Sequence, residues 1–234
     1  MKSFYQQKCR ICGCDWNHAC NDHDYWFAED LCSACAEKMK PILFNTEMVQ
    51  AISNGRKTTT RRVIKIKFLP GFNPKWTGYL PVFENGKFFL EGSNHRDATM
   101  RVKPEYHIGA ILYVRETWNA DWCDHVIYKA DGGSAMTAGY GAEPKWHPSI
   151  HMPKKYARIF LRVTGFRAER LQNITDEEAE NEGCTDATST AMGFFDIWDN
   201  TVKKTDLPKY SWDANPWVWV ISFERIGKSR GDET

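Results

Sequence analysis

The chain has 234 residues, 31 Lys+Arg against 30 Asp+Glu, and a formal net charge of +1, with 42% hydrophobic and 26% charged residues. That balance excludes a polycationic nucleic-acid coat and an acidic solvating tail, and the apolar content excludes a chain too polar to bury a core. The longest apolar run, WVWVISF at 217–223, is far too short to span a bilayer, and the start MKSFYQQKCR has no apolar signal stretch, so the expectation is a cytoplasmic protein with no membrane contact.

Six of the eight cysteines fall within residues 9–35, a clustering that in a reducing compartment favours metal over disulfides. Cys9-x2-Cys12 and Cys32-x2-Cys35, nineteen residues apart, form two knuckles with the ligand spacing of a zinc site. A site closed by four thiolates has no open position, so a zinc held there is structural. Its binding energy would order a segment of about 35 residues that is too small for its own core. Cys14, His18, Cys20, His23 and Asp24 lie between the knuckles and leave open a ligand exchange or a second metal. Free or redox-active thiols are the plainer alternative.

Beyond the cysteines, Asn45 or Thr46 can cap a helix whose apolar face is Met48, Val49 and Ile52, with Asn54-Gly55 as its stop. Residues 61–68 alternate as a strand does, and 70–110 reads as short strands and turns such as GKFFLEG. AILYVRETW at 110–118 is a strand. The stretch 120–150 is a loop with one hairpin around VIYKA, and 157–171 is a long strand. Thr175-x-x-Glu178 is a capping box that opens a short helix ending at Gly183. A further helix is expected around 189–203, and WVWVISFERI at 217–226 closes the chain as a buried strand. Many strands and few short helices predict an α+β fold around a small β-barrel.

The neutral total conceals an asymmetry. From Met48 to Phe83 there is no acidic residue, while Arg56, Lys57, Arg61, Arg62, Lys65, Lys67 and Lys75 fall there. Residues 169–186 carry Glu169, Asp176, Glu177, Glu178, Glu180, Glu182 and Asp186 against one base, Arg170. Arg56, Arg61, Arg62 and Lys65 are therefore candidates for contact with phosphates of RNA or DNA, a solvated basic face being the alternative. His147 and His151 lie in a proline-flanked loop rather than a metal-binding helix. Cys123 and Cys184 read as small hydrophobes, and the tryptophans 118, 122, 146, 217 and 219 as core before stacking platform.

GRKTTTRR at 55–62 resembles the GxKxxTxR signature of the ASCH superfamily, with Lys57, Thr60 and Arg62 at the matching positions. GAILYVRETW, WHPSIHMPKKYARIFLRV, LQNITDEEAENEG and NPWVWVISFERI, with the leading CRICGC and DLCSAC blocks, extend the resemblance over nearly the whole chain. Together they resemble ASCH-domain proteins of tailed phages and prophages. One departure is Asp24, which stands where such proteins tend to carry another cysteine. The resemblance implies a PUA-like small β-barrel with short flanking helices over residues 39–228, preceded by a zinc-knuckle module at 1–38 and followed by a disordered tail at 229–234. It also implies a bacterial host cytoplasm.

Bacterial N4-acetylcytidine amidohydrolases, a smaller family with this fold, use a Lys, a Thr and a Glu, and the matching residues are Lys57, Thr60 and Glu182. The similarity implies a hydrolase acting on an N-acylated cytidine or related nucleobase. Lys57, with its pKa lowered by neighbouring arginines, would be the base, Thr60 the nucleophile or oxyanion contact, and Glu182, in the last turn of its helix, the acid. Other ASCH proteins are implicated in RNA binding or RNA cleavage, so a non-catalytic RNA- or DNA-binding module, or a ribonuclease, is the alternative.

Overall fold

The structure, a computed structural model, describes residues 8–9, 11–15, 17–18, 20, 25–28, 31–65, 80–84, 87–91, 100–102, 105–120, 126–132, 145–184 and 191–226. The fold is mixed α+β. In chain order the elements are β1 (Trp26–Ala28), β2 (Leu31–Cys32), α1 (Ser33–Lys38), β3 (Lys40–Leu43), α2 (Thr46–Ser53), β4 (Thr59–Val63), β5 (Leu80–Glu84), β6 (Lys87–Glu91) and β7 (Met100–Val102). There follow β8 (Ile111–Arg115), β9 (Trp118–Asn119), β10 (Ile127–Tyr128), β11 (Phe160–Arg170), α3 (Asp176–Asn181), α4 (Ala191–Thr201), α5 (Leu207–Tyr210) and β12 (Trp217–Ile226).

The main sheet has five strands in the order β3-β8-β11-β12-β4, and a second has three, β5-β6-β7. β3 runs parallel to β8, whereas β11 is antiparallel to β8 and β12 to β4. Pro41, which has no N–H to give a ladder, sits on β3 at the sheet's edge, where that loss is tolerated. No sheet among the described residues closes into the expected barrel; the five-stranded sheet is open, with β3 and β4 as edges. Among those residues no helix is long and apolar enough to cross a membrane.

Packing divides the chain into two units. The first comprises Met1–Gly55, Gly109–Arg162 and Glu224–Thr234, the second Arg56–Ile108 and Val163–Phe223. This differs from the expected boundary at residue 38. Cys9, Leu31, Cys32, Ala34, Ala36 and Met39 share one core cluster with Tyr113 and Phe160, so the cysteine segment is not packed on its own. The reason is size, because so short a segment cannot bury enough apolar surface alone. The expected tail at 229–234 lies outside the described residues.

Elsewhere in the first unit, the Asn45 side chain accepts the Met48 N–H at 2.8 Å and caps α2. Buried Glu116 takes a two-pronged bond from Arg158, both at 2.9 Å, and the Arg158 guanidinium lies 3.9 Å from the Tyr128 ring centroid. The second unit's core joins Leu171, Ile174, Ala179, Cys184, Phe194 and Trp198 to Val218 and Val220 of β12.

Candidate functional site

Strand alternation makes β4 a two-sided element. Arg61 and Val63 pair in register with Val220 and Val218, whose side chains belong to the core that holds α3 and α4. Thr60 and Arg62 pair with Ile221 and Trp219 and share the opposite face. The core-facing side brings an arginine into an apolar interior, which is tolerable only if every charge finds a partner.

The acidic segment supplies them. Lys57 donates from Nζ to Glu182 Oε2 at 2.6 Å and to the Glu182 main-chain oxygen at 2.8 Å. The Lys57 side chain is fully buried and that of Glu182 is 3% exposed. Arg61 donates to Glu182 Oε1 at 3.1 Å, to Glu169 Oε1 at 2.7 and 3.1 Å, and to Glu178 Oε2 at 2.8 Å. Arg167 closes the array with bonds to Glu169 Oε2 at 3.0 Å and to Glu178 Oε1. Three cations thus face three carboxylates, and the desolvation cost of each is offset by its neighbours.

The capping box predicted at the start of α3 is present, and its Glu178 bonds the Thr175 N–H while also receiving Arg61. Gly183, at φ 94°, ends the helix in a conformation that glycine adopts without steric cost. Lys57 then satisfies a carbonyl at that end, one of the acceptors a helix terminus leaves open. Thr58 fixes the alignment, its N–H donating to the Asn181 oxygen at 2.9 Å and its hydroxyl to Asn181 Oδ1 at 3.0 Å.

Two of the three expected catalytic residues are therefore in direct contact. Thr60 is buried on β4, and the Lys57–Glu182 bonds do not pass through it. The lowering of the Lys57 pKa has a different leading cause from the one expected: burial acts first, Arg62 adds to it, and Glu182 opposes it. Glu182 accepts a bond from a cation on each oxygen, Lys57 on Oε2 and Arg61 on Oε1. Cys184 is buried; burial and Glu182 push its thiol pKa up, against Lys57 and Arg61.

Of the residues expected at phosphates, Arg61 is buried and held by the carboxylates, and Arg56 is exposed and reaches the Gly183 oxygen at 3.4 Å. Arg61, Arg62 and Lys65 all line a cavity of about 540 Å³ within the second unit. Its other walls include Tyr106, Phe166, Trp198, Lys203, Tyr210 and Trp219, with Glu105 and Asp206 as acceptors. Phe166 and Trp219 stack with centroids 4.6 Å apart. Burial pushes the Tyr106 phenol up to about 12, Glu105 adding to the shift and Arg62 opposing it. Sequence reading did not single out Tyr106, Phe166 or Lys203; they come from separate loops and strands, and only the fold brings them together.

In the first unit the sulfurs of Cys9, Cys12, Cys32 and Cys35 lie within 4.8 Å of one another, an arrangement that could hold a metal ion. The loop that delivers the first pair is closed by Gly13 N–H to the Cys9 oxygen and Cys9 N–H to the Cys14 oxygen, both at 2.8 Å, with Gly13 at φ 75°. Of the remaining candidates, His147 donates and accepts backbone bonds with Trp118 and stacks on it at 5.0 Å, whereas His151 is exposed. Cys123, Trp122, His23, Asp24, Lys67 and Lys75 lie outside the described residues.

Comparison of the chain with protein-family models, curated proteins and solved structures found no match.

Proposed function

We propose that the second unit is an ASCH-type, PUA-like module that takes a nucleobase, as a nucleoside or as one unit of RNA or DNA, into the cavity beside β4. The observation that carries this reading is the cavity's lining. Its volume is within the range of small-molecule sites, aromatic rings offer faces on which a base stacks, and Arg62, Lys65 and Lys203 offer cations for a phosphate. Arg61 is itself part of the lining, and its three carboxylate partners hold that wall in place. The first unit, in the same reading, holds a structural zinc on Cys9, Cys12, Cys32 and Cys35.

Tryptophan fluorescence titration with nucleosides, N4-acetylcytidine and short single-stranded RNA and DNA at rising salt tests this. Oligonucleotide affinity is expected to fall steeply with salt, and Arg62→Ala and Lys65→Ala to weaken binding and flatten that slope. Absence of saturable binding to every probe at low salt overturns the reading.

A second reading, hydrolysis of an N-acylated cytidine, is favoured by the Lys57–Glu182 contact and by the lowering of the Lys57 pKa. Thr60 or a water would attack the acyl carbon with Lys57 taking the proton, and that same proton, passed on through the Lys57–Glu182 contact, would go to the departing amine; where Thr60 is the nucleophile, water then completes release of acetate from an acetylated cytidine. Acetate release by wild type and by Lys57→Ala decides it: background release from wild type removes hydrolysis and leaves the binding reading standing.

A further inference from the structure

Cys14 and Cys20 belong to neither knuckle, yet both come into the cysteine cluster. The sulfurs of Cys12, Cys14, Cys20 and Cys32 form a second set lying within 4.8 Å of one another, and it shares Cys12 and Cys32 with the first. Within it the Cys12–Cys32 and Cys20–Cys32 separations are 3.8 and 4.0 Å, and Cys12–Cys20 is 3.3 Å. A tetrahedral zinc with Zn–S bonds of about 2.3 Å sets its sulfurs about 3.8 Å apart, which the Cys12–Cys32 and Cys20–Cys32 separations match, Cys12–Cys20 being shorter. They are far longer than a disulfide bond.

Hydrophobic burial does not explain the convergence. Cys12 and Cys20 are exposed and Cys14 is half-buried, so their thiols gain little by meeting. His18 does not join them; its ring is turned to Asp15, with Nδ1 2.9 Å from Oδ1, and its side chain is 83% exposed. Among the described residues, sulfur alone lines both sets.

We propose that the six cysteines hold two thiophilic divalent ions in one cluster, with Cys12 and Cys32 bridging. Cys9 and Cys35 complete the first ion and Cys14 and Cys20 the second. The inference rests on the metal reading of the two knuckles and extends it. Each ion has four sulfur ligands and no open position, so the second is structural like the first. Two divalent ions against six thiolates leave the same residual charge as one against four, so the second ion neutralises the added thiolates without enlarging the net charge of the site.

Zinc content of the full-length protein, by elemental analysis and native mass spectrometry, tests the proposal. Two zinc ions per chain are expected in the wild type and one in the Cys14→Ser/Cys20→Ser double variant. Cobalt titration of the wild type gives a readout that does not depend on that variant's folding. Bridging thiolates couple two Co(II) ions magnetically, so the moment per cobalt is expected to fall as the second equivalent enters. One zinc in the wild type, an unchanged moment per cobalt, or two zincs retained in the double variant overturns the two-ion cluster. A mass two hydrogens lower with Cys12 and Cys20 crosslinked overturns it too. Wild type with no zinc removes the knuckle reading as well, and so differs from failure of the second ion alone.

Discussion

The cysteine cluster of the first unit and the ionic network of the second each gather chemically demanding groups, but they do so over different reaches of chain. Every sulfur of the cluster comes from residues 9–35, and the donors are spaced by a turn or a short strand. The network joins partners that are far apart in sequence, Lys57 to Glu182 across 125 residues and Arg61 to Glu169 across 108. A local ligand set carries its geometry in its spacing. A distant ion-pair array carries only its composition, and the fold decides which charge meets which.

The strongest way to break the comparison is to remove the metal. If the cluster is a metal centre, chelation at neutral pH should cost the first unit its order around Tyr113 and Phe160, with amide exchange of Leu31–Lys38 rising toward the unfolded rate while β4 and α3 stay protected. Equal loss of protection in both regions would show that the contrast between them is false. Next in size is Lys57→Met, which leaves Glu182 with one cation fewer in a buried setting. It is expected to lower stability by about 3–5 kcal/mol in denaturant titration, and a value near zero would mean that water reaches the network.

Smaller effects sharpen the picture. Gly183→Ala places a Cβ at φ 94° and should cost about 1–2 kcal/mol by the same assay. Thr175→Ala, which removes the N-cap of α3 while leaving Glu178 on Arg61, should cost about 1 kcal/mol. The smallest is a pH effect at Cys184. Its thiol pKa is raised in the folded chain, so the unfolded chain loses this proton first. The stabilisation is complete below about pH 8.5 and is lost as pH rises through the folded value. Denaturation midpoints of wild type and Cys184→Ala compared from neutral to alkaline pH check it, with convergence expected only at the alkaline end.

Much of the local structure is legible in the sequence. β12 occupies the predicted 217–226, the α3 capping box forms with both of its bonds, and Asn45 caps α2. These features depend on neighbours within a few residues. β3 was missed because Lys40–Leu43 has a proline and too few residues to show a period, and its parallel partner β8 lies some seventy residues on. The candidate site was half legible. The acid-free stretch before residue 83 and the acid-rich stretch after 169 are plain in the sequence, and the resemblance points to Lys57 and Glu182. That Arg61 would be held by three carboxylates and still line the cavity beside Arg62 and Lys65 depends on how β4 packs on α3 and α4. No periodicity in the strand itself states that.

The six-residue helix α3 is too short to persist alone, and it is held at both ends by side chains that precede it by more than a hundred residues. Its order is thus borrowed from a long chain closure. Such contacts come late and slowly in folding, because the closure entropy is lost before any of them forms. During synthesis, Arg61 and Lys57 emerge well before the carboxylates that neutralise them. The nascent second unit therefore passes through an interval as a basic, unpaired segment, and becomes electrically balanced only when α3 arrives.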